Sequence, residues 1–284
     1  MPCLFPAHLQ QPPAPESPDA LRQRLAVLYQ AQKWNELADA FEALTPAQRG
    51  PFLDDWIDIL ERAKRWERLV QVSDAVLGQL DAAKHGKRVE AFEKRKLSGL
   101  TKLNRWPEAL ALCEMLGDRG DPFFFVLGTD QARLAHDYPS MERLALKWAA
   151  KQPQDPHLPG VLGEALARQD RFVEAEPHLR KAVAAQPRDA DAWSNLGRCL
   201  NDRKAWAEAE AALAKALEAD PKHLEARYNR GRSLFELQRY GDAVEDFQLA
   251  LVALPDDAIL KENLRQAERY LAAETKGKKA RPAR

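Results

Sequence analysis

Cysteine is scarce: Cys3, Cys113 and Cys199 are odd in number, far apart in the chain, and form no C-x-x-C pair. This excludes a disulfide framework and the common zinc and redox motifs, and it suits a reducing compartment. Glycine is also sparse, with 13 residues in 284, and strand-like alternation is missing, so an all-helical class is expected. Neither sign of charge is in excess, because 43 basic residues balance 43 acidic ones. The bulk electrostatic case for nucleic acid is therefore missing. No apolar run reaches the length of a membrane span, and the first residues, MPCLFPAHLQQPPAPESPDA, lack the basic leader and continuous apolar stretch of a signal peptide or anchor. The expectation is a cytoplasmic protein without membrane insertion.

Catalytic motifs are missing too. There is no Walker loop, no G-x-G-x-x-G, no H-E-x-x-H and no G-x-S-x-G. His8, His85, His136, His157, His178 and His223 stand singly, without metal-ligand spacing. The expectation is a non-enzymatic chain with no catalytic residues, no metal and no cofactor.

What the sequence does contain is a repeat. Gly163, Gly197 and Gly231 are 34 apart, and so are Leu166, Leu200 and Leu234. The same step joins Phe172, Trp206 and Tyr240; Ala175, Ala209 and Ala243; Leu179, Leu213 and Phe247; Ala182, Ala216 and Ala250; and Pro187, Pro221 and Pro255. A fixed period of this length marks a solenoid of stacked supersecondary units. Within the second unit, Trp193, Leu196 and Leu200 fall at helical spacing, as do Trp206, Ala209, Leu213, Ala216 and Leu217 after a polar break, which gives two helices per unit. Gly197 and Ala209 remove bulk where the two helices cross. Asp220-Pro221 and Leu254-Pro255 end second helices, and Asp155-Pro156 offers an N-cap followed by a proline for a first helical position.

Together these columns resemble the tetratricopeptide repeat family. The resemblance implies an all-α, right-handed α-solenoid of antiparallel helix pairs with a concave groove. Aromatics taken as the end of each first helix extend the count upstream: Trp34, Trp66, Trp106, Tyr138, Phe172, Trp206 and Tyr240, at steps of 32, 40, 32, 34, 34 and 34. Seven pairs follow, with an insertion expected around residues 81–90. The aromatic column is read as inter-repeat core rather than as stacking platforms for bases or sugars.

The chain then divides into a disordered proline-rich leader at residues 1–18, divergent repeats at 19–154, three regular repeats at 155–255, a capping helix at 256–273 and a basic disordered tail at 274–284.

In such superhelices the first helices line the groove. Asn195, Asn229 and Asn263 recur there, again 34 apart, each three positions ahead of Arg198, Arg232 and Gln266, while Val161 takes the column upstream. The resemblance is to members in which an asparagine ladder grips an extended peptide, and a carboxamide offers the donor and acceptor that a peptide unit needs. Ser194 and Tyr228 share this face, and the arginines suit acidic side chains or a carboxylate. The two-carboxylate clamp of chaperone-binding members does not match. The plainer reading of the asparagines, tolerance at an exposed helical position, stays open.

Secondary groove contacts are read at Asp54, Asp55 and Asp58, with Glu61, in the second unit and at Lys94, Arg95 and Lys102 in the third, with a solvated polar surface as the open alternative for these charges; Phe125 is read as an apolar anchor. The function expected is a protein-binding scaffold or adaptor. Self-association and service as a regulatory subunit of an enzyme are the alternatives.

Overall fold

The computed structural model describes residues 18–45, 49 and 52–279. Most of the proline-rich leader, including Cys3, lies outside the described residues, as does the tail from residue 280. Fifteen helices and no strand occur among the described residues. They are α1 Pro18–Gln30, α2 Trp34–Glu42, α3 Leu53–Arg62, α4 Trp66–Leu77, α5 Ala82–Lys102, α6 Trp106–Asp118, α7 Phe123–Leu134 and α8 Tyr138–Lys151. The remainder are α9 Leu158–Arg168, α10 Phe172–Ala185, α11 Ala190–Asp202, α12 Trp206–Ala219, α13 Leu224–Glu236, α14 Tyr240–Ala253 and α15 Ala258–Lys279. The chain is an all-α solenoid of paired helices with an additional helix at its C-terminal end.

The aromatic column corrects one expectation. Each of the seven aromatics opens a second helix instead of closing a first one. The cause is a shared reversal two residues earlier: Gln32, Lys64, Asn104, His136, Asp170, Lys204 and Gln238 all have φ between 54° and 61°. In the sixth pair the Lys204 N–H donates to the Asn201 carbonyl at 3.0 Å, and the Ala205 N–H donates to the Leu200 carbonyl at 2.9 Å. These two bonds define a Schellman motif, and the other six turns repeat them. The aromatics are half-buried, and Trp34, Trp66, Tyr138 and Phe172 pack against the cores beneath them.

The glycine column does what its spacing suggests. A Cβ at Gly197 would lie 2.4 Å from Leu213 Cγ, one at Gly163 2.6 Å from Leu179 Cγ, and one at Gly231 2.6 Å from Phe247 Cε1. The first helix of each regular pair therefore touches its second helix through the bare backbone. Gly128, one residue out of phase, does the same for α7, where a Cβ would come within 2.8 Å of Leu144 Cδ1.

Other boundaries differ from the expected ones. The stretch DAAKHGKRVE is helical from Ala82 onward, so that α5 runs for 21 residues with a break at His85 (φ −124°, ψ 27°). Asp155 does not cap α9: its Oδ1 accepts from the His157 N–H at 2.9 Å, and the helix starts at Leu158 with Pro159 in its first turn. The last helix begins at Ala258 and continues to Lys279, six residues past the expected end at 273.

The chain forms two compact units, one ending at Arg105 and one beginning at Trp106. In the first, Leu21 and Leu25 of α1, Leu37 and Phe41 of α2, Ile57 and Leu60 of α3, Leu69 and Val72 of α4 and Phe92 of α5 share one core. In the second, three successive clusters form the core: one with Leu110 and Phe125, one with Leu179, Leu200 and Leu213, and one with Phe247, Leu260 and Ala267.

Candidate partner-binding groove

In the second unit, α9 packs on α11, α11 on α13 and α13 on α15. Direct contact between successive first helices gives a curved array its concave side. A cavity of about 740 Å³ opens there, lined by Val126, Thr129, Asp130 and Arg133 of α7, Val161, Glu164 and Arg168 of α9, and Asp191 and Asn195 of α11.

Charged side chains lace this surface across the repeats. Arg133 Nε donates to both oxygens of Glu164 at 3.1 and 2.9 Å, and its Nη1 donates to Asp130 at 2.7 Å. Arg168 reaches past α11 to Glu225 of α13 through bonds of 3.2 and 2.8 Å. Asp191 Oδ1 lies 3.0 Å from His223 Nε2. That hydrogen bond draws the Asp191 carboxyl below its ordinary range and raises the His223 imidazole. Burial pushes the Glu164 carboxyl upward, against the pull of Arg133.

The expected ladder residues are distributed unevenly. Asn195 is only 5% exposed, yet it lines the cavity, and its carboxamide has no hydrogen-bond partner among the described residues. Asn229 is buried, and its backbone carbonyl accepts from Asn201 Nδ2 at 3.0 Å and from Ser233 Oγ at 3.0 Å. Asn263 is half-buried and donates to Tyr228 Oη at 3.1 Å. Ser194 is buried, and its hydroxyl has no partner among the described residues.

The two arginines also differ. Arg198 donates to the Ala167 carbonyl, pairs with Asp170 at 3.1 Å and lies over the Phe172 ring. Arg232 is exposed, with Tyr228 beneath its guanidinium, and it lines a second hollow of about 120 Å³ with Phe235, Glu236, Asn263 and Gln266. The structure thus places Asn195 in the larger cavity and Arg232 and Asn263 in the smaller one.

Phe125 requires a correction. It is fully buried, and a Cβ at Gly117 would lie 2.5 Å from its ring, so Phe125 fills the space that Gly117 leaves. The exposed phenylalanine of that run is Phe123.

In the first unit the opposite charges of α3 and α5 face each other. Arg88 Nε donates to Asp54 Oδ1 and Arg95 Nη1 to the Asp54 carbonyl, both at 3.4 Å, while Ser98 Oγ reaches Glu61 at 3.4 Å. Asp58 pairs with Arg62 at 2.7 Å and Lys94 with Glu90 at 2.6 Å. Asp55 and Asp58 border a hollow of about 280 Å³ with Tyr29, Phe41 and Phe52, and Lys102 is exposed.

Sequence reasoning missed Asp130, Arg133, Glu164, Arg168, Asp191 and Glu225. A signal was present, since Glu164 stands in the column of Arg198 and Arg232, and Asp191 and Glu225 share a column of their own. Cys113 and Cys199 are buried, and burial pushes both thiols up to about 12, which makes them core residues. Among the described residues no cluster of His, Cys, Asp and Glu is arranged to hold a metal ion. No helix among them is long and apolar enough to cross a membrane.

Paired helices in phase, glycine crossings and a concave first-helix face define a tetratricopeptide-type solenoid. The sequence profile of the tetratricopeptide repeat matches residues 161–223 and 206–258, so this stretch of the chain carries tetratricopeptide repeats. Tetratricopeptide repeats generally bind proteins and peptides through the concave groove. No curated protein matches the chain.

Among solved structures the chain is similar to YrrB, described as a tetratricopeptide protein with an unusual peptide-binding site; identity is 21% over 65% of this chain and 96% of that one, with a TM-score of 0.51. It is also similar to MamA, residues 41 to the end, from Desulfovibrio magneticus RS-1; identity is 19% over 59% of this chain and 96% of that one, with a TM-score of 0.52. At these identities the likeness is one of fold.

Proposed function

We propose that this chain is a non-catalytic, cytoplasmic scaffold or adaptor whose groove holds an extended segment of a partner protein. The observation that carries the reading is Asn195, a nearly buried carboxamide that borders the cavity with its donor and acceptor unused. Its amide atoms keep solvent contact at the cavity, and a peptide unit supplies the complementary donor and acceptor that would replace water there. Asn229 and Asn263 extend the same column, and Ser194 and Tyr228 flank it. Arg232 is the open cation for an acidic group of the partner, whereas Arg198 holds the groove wall. The structural likeness to a peptide-binding tetratricopeptide protein supports the same assignment.

The test is a titration. Peptides selected from a random displayed library on the full chain should bind, and Asn195→Ala should weaken them by about 0.5–1.5 kcal/mol, the net worth of a hydrogen bond. Asn229→Ala and Asn263→Ala should add smaller losses. Glu245→Ala, at an exposed position of α14, is the control. Unchanged affinity in the triple asparagine variant, at matched thermal stability, would remove the ladder from the account.

A second reading, self-association, is favoured by the exposed apolar side chains Leu249, Val252 and Ile259 at the C-terminal end. A mass that rises with concentration, and falls back on Val252→Asp, would support it. A constant monomer mass would exclude it.

A further inference from the structure

The charge of the larger cavity has a sign. Five carboxylates border it, among them Asp130, Glu164 and Asp191, against the two guanidiniums of Arg133 and Arg168. Both guanidiniums are already engaged, Arg133 by Glu164 and Asp130 and Arg168 by Glu225 from outside the lining. An incoming anion would find no open guanidinium in this lining and would face the surplus carboxylates. An incoming cation finds Asp191 and Asp130, whose side chains stand open to solvent and are held from one side by His223 and Arg133 respectively. Beside them stands the unpartnered carboxamide of Asn195.

We infer that the groove between α7, α9 and α11 takes a lysine or arginine side chain of an extended partner peptide, with Asn195 holding the peptide backbone and Asp130 and Asp191 meeting the charge. The inference rests on the groove reading proposed above and deepens it. Arg232 lies on α13, so the partner segment is basic over α7–α11 and acidic toward α13 and α15. That polarity fixes the direction in which it lies, because complementary potentials select register and penalise the reversed one.

The test uses a random peptide library displayed against the full chain and against three variants: Asp130→Asn with Asp191→Asn, Asn195→Ala, and Glu245→Ala. Circular dichroism melts matched to the wild type show that each variant folds. Enrichment of lysine or arginine among the selected peptides is expected. The double Asp variant should bind those peptides about three- to tenfold more weakly at low salt, with the gap closing as salt screens the pairs. Asn195→Ala should weaken all groove peptides irrespective of charge.

Peptides that depend on Asn195 but show no basic enrichment would overturn the inference and leave the groove reading standing. Basic peptides indifferent to the double Asp variant would also overturn it, as nonspecific attraction. Peptides indifferent to every groove variant, or no selected peptide at all, would count against both.

Discussion

Lys204 adopts a left-handed conformation (φ 59°) with an exposed side chain, at the turn between α11 and α12. An L-residue with a Cβ pays about 1–2 kcal/mol for this conformation, and glycine avoids most of that cost while losing more freedom on folding. Lys204→Gly should therefore stabilise the second unit by about 0.5–1 kcal/mol in urea unfolding; Lys215→Gly, in the middle of α12, should destabilise it by about 1 kcal/mol. Destabilisation by both would mean that the turn is not strained. The same scale explains Phe125: three consecutive phenylalanines do not reveal which ring is buried until Gly117 is seen to leave a hole on the facing helix.

Helix crossings decide the next level. At Gly197 a Cβ would overlap Leu213, so Gly197→Leu should cost about 1–3 kcal/mol by overpacking. Hydrogen exchange should show the loosening concentrated in α11–α13, since each repeat contacts only its neighbours. Uniform loosening from α7 to α15 would contradict this. Between α13 and α14, Arg230 holds the buried Asp246 through two bonds of 2.7 Å. Asp246→Ala strands a half-buried guanidinium and should cost about 3 kcal/mol, near the low end for breaking a buried pair. Adding Arg230→Leu should recover part of that loss. The pairs, their number and the glycine contacts were legible in the sequence because identical packing recurs at a fixed period and leaves a periodic trace. The long α5 was not, because an insertion that extends a helix has the same composition as one that loops out. Nor were the aromatic positions legible to the residue, since the seven reversals are made by Gln, Lys, Asn, His and Asp instead of glycine.

At the scale of the molecule, the concave charges depend on which first helices adjoin, and that is fixed by curvature rather than by local pattern. Arg168 meeting Glu225, far along the chain, has no short-range signature. The asparagine column was visible as a period, but its burial was not. Asn195 and Asn229 sit deep, so the proposed partner segment would have to be drawn close to the groove floor to meet them.

The measurement that tests the central claim most directly is site-specific photocrosslinking with benzoylphenylalanine placed at Val161, on the groove lining of α9, or at Val252, exposed on α14. Irradiation in cells should yield a discrete partner adduct from position 161 that Asn195→Ala reduces, and none from position 252. Adducts from position 252 alone, or adducts at 161 that ignore Asn195→Ala, would contradict the groove as the binding site.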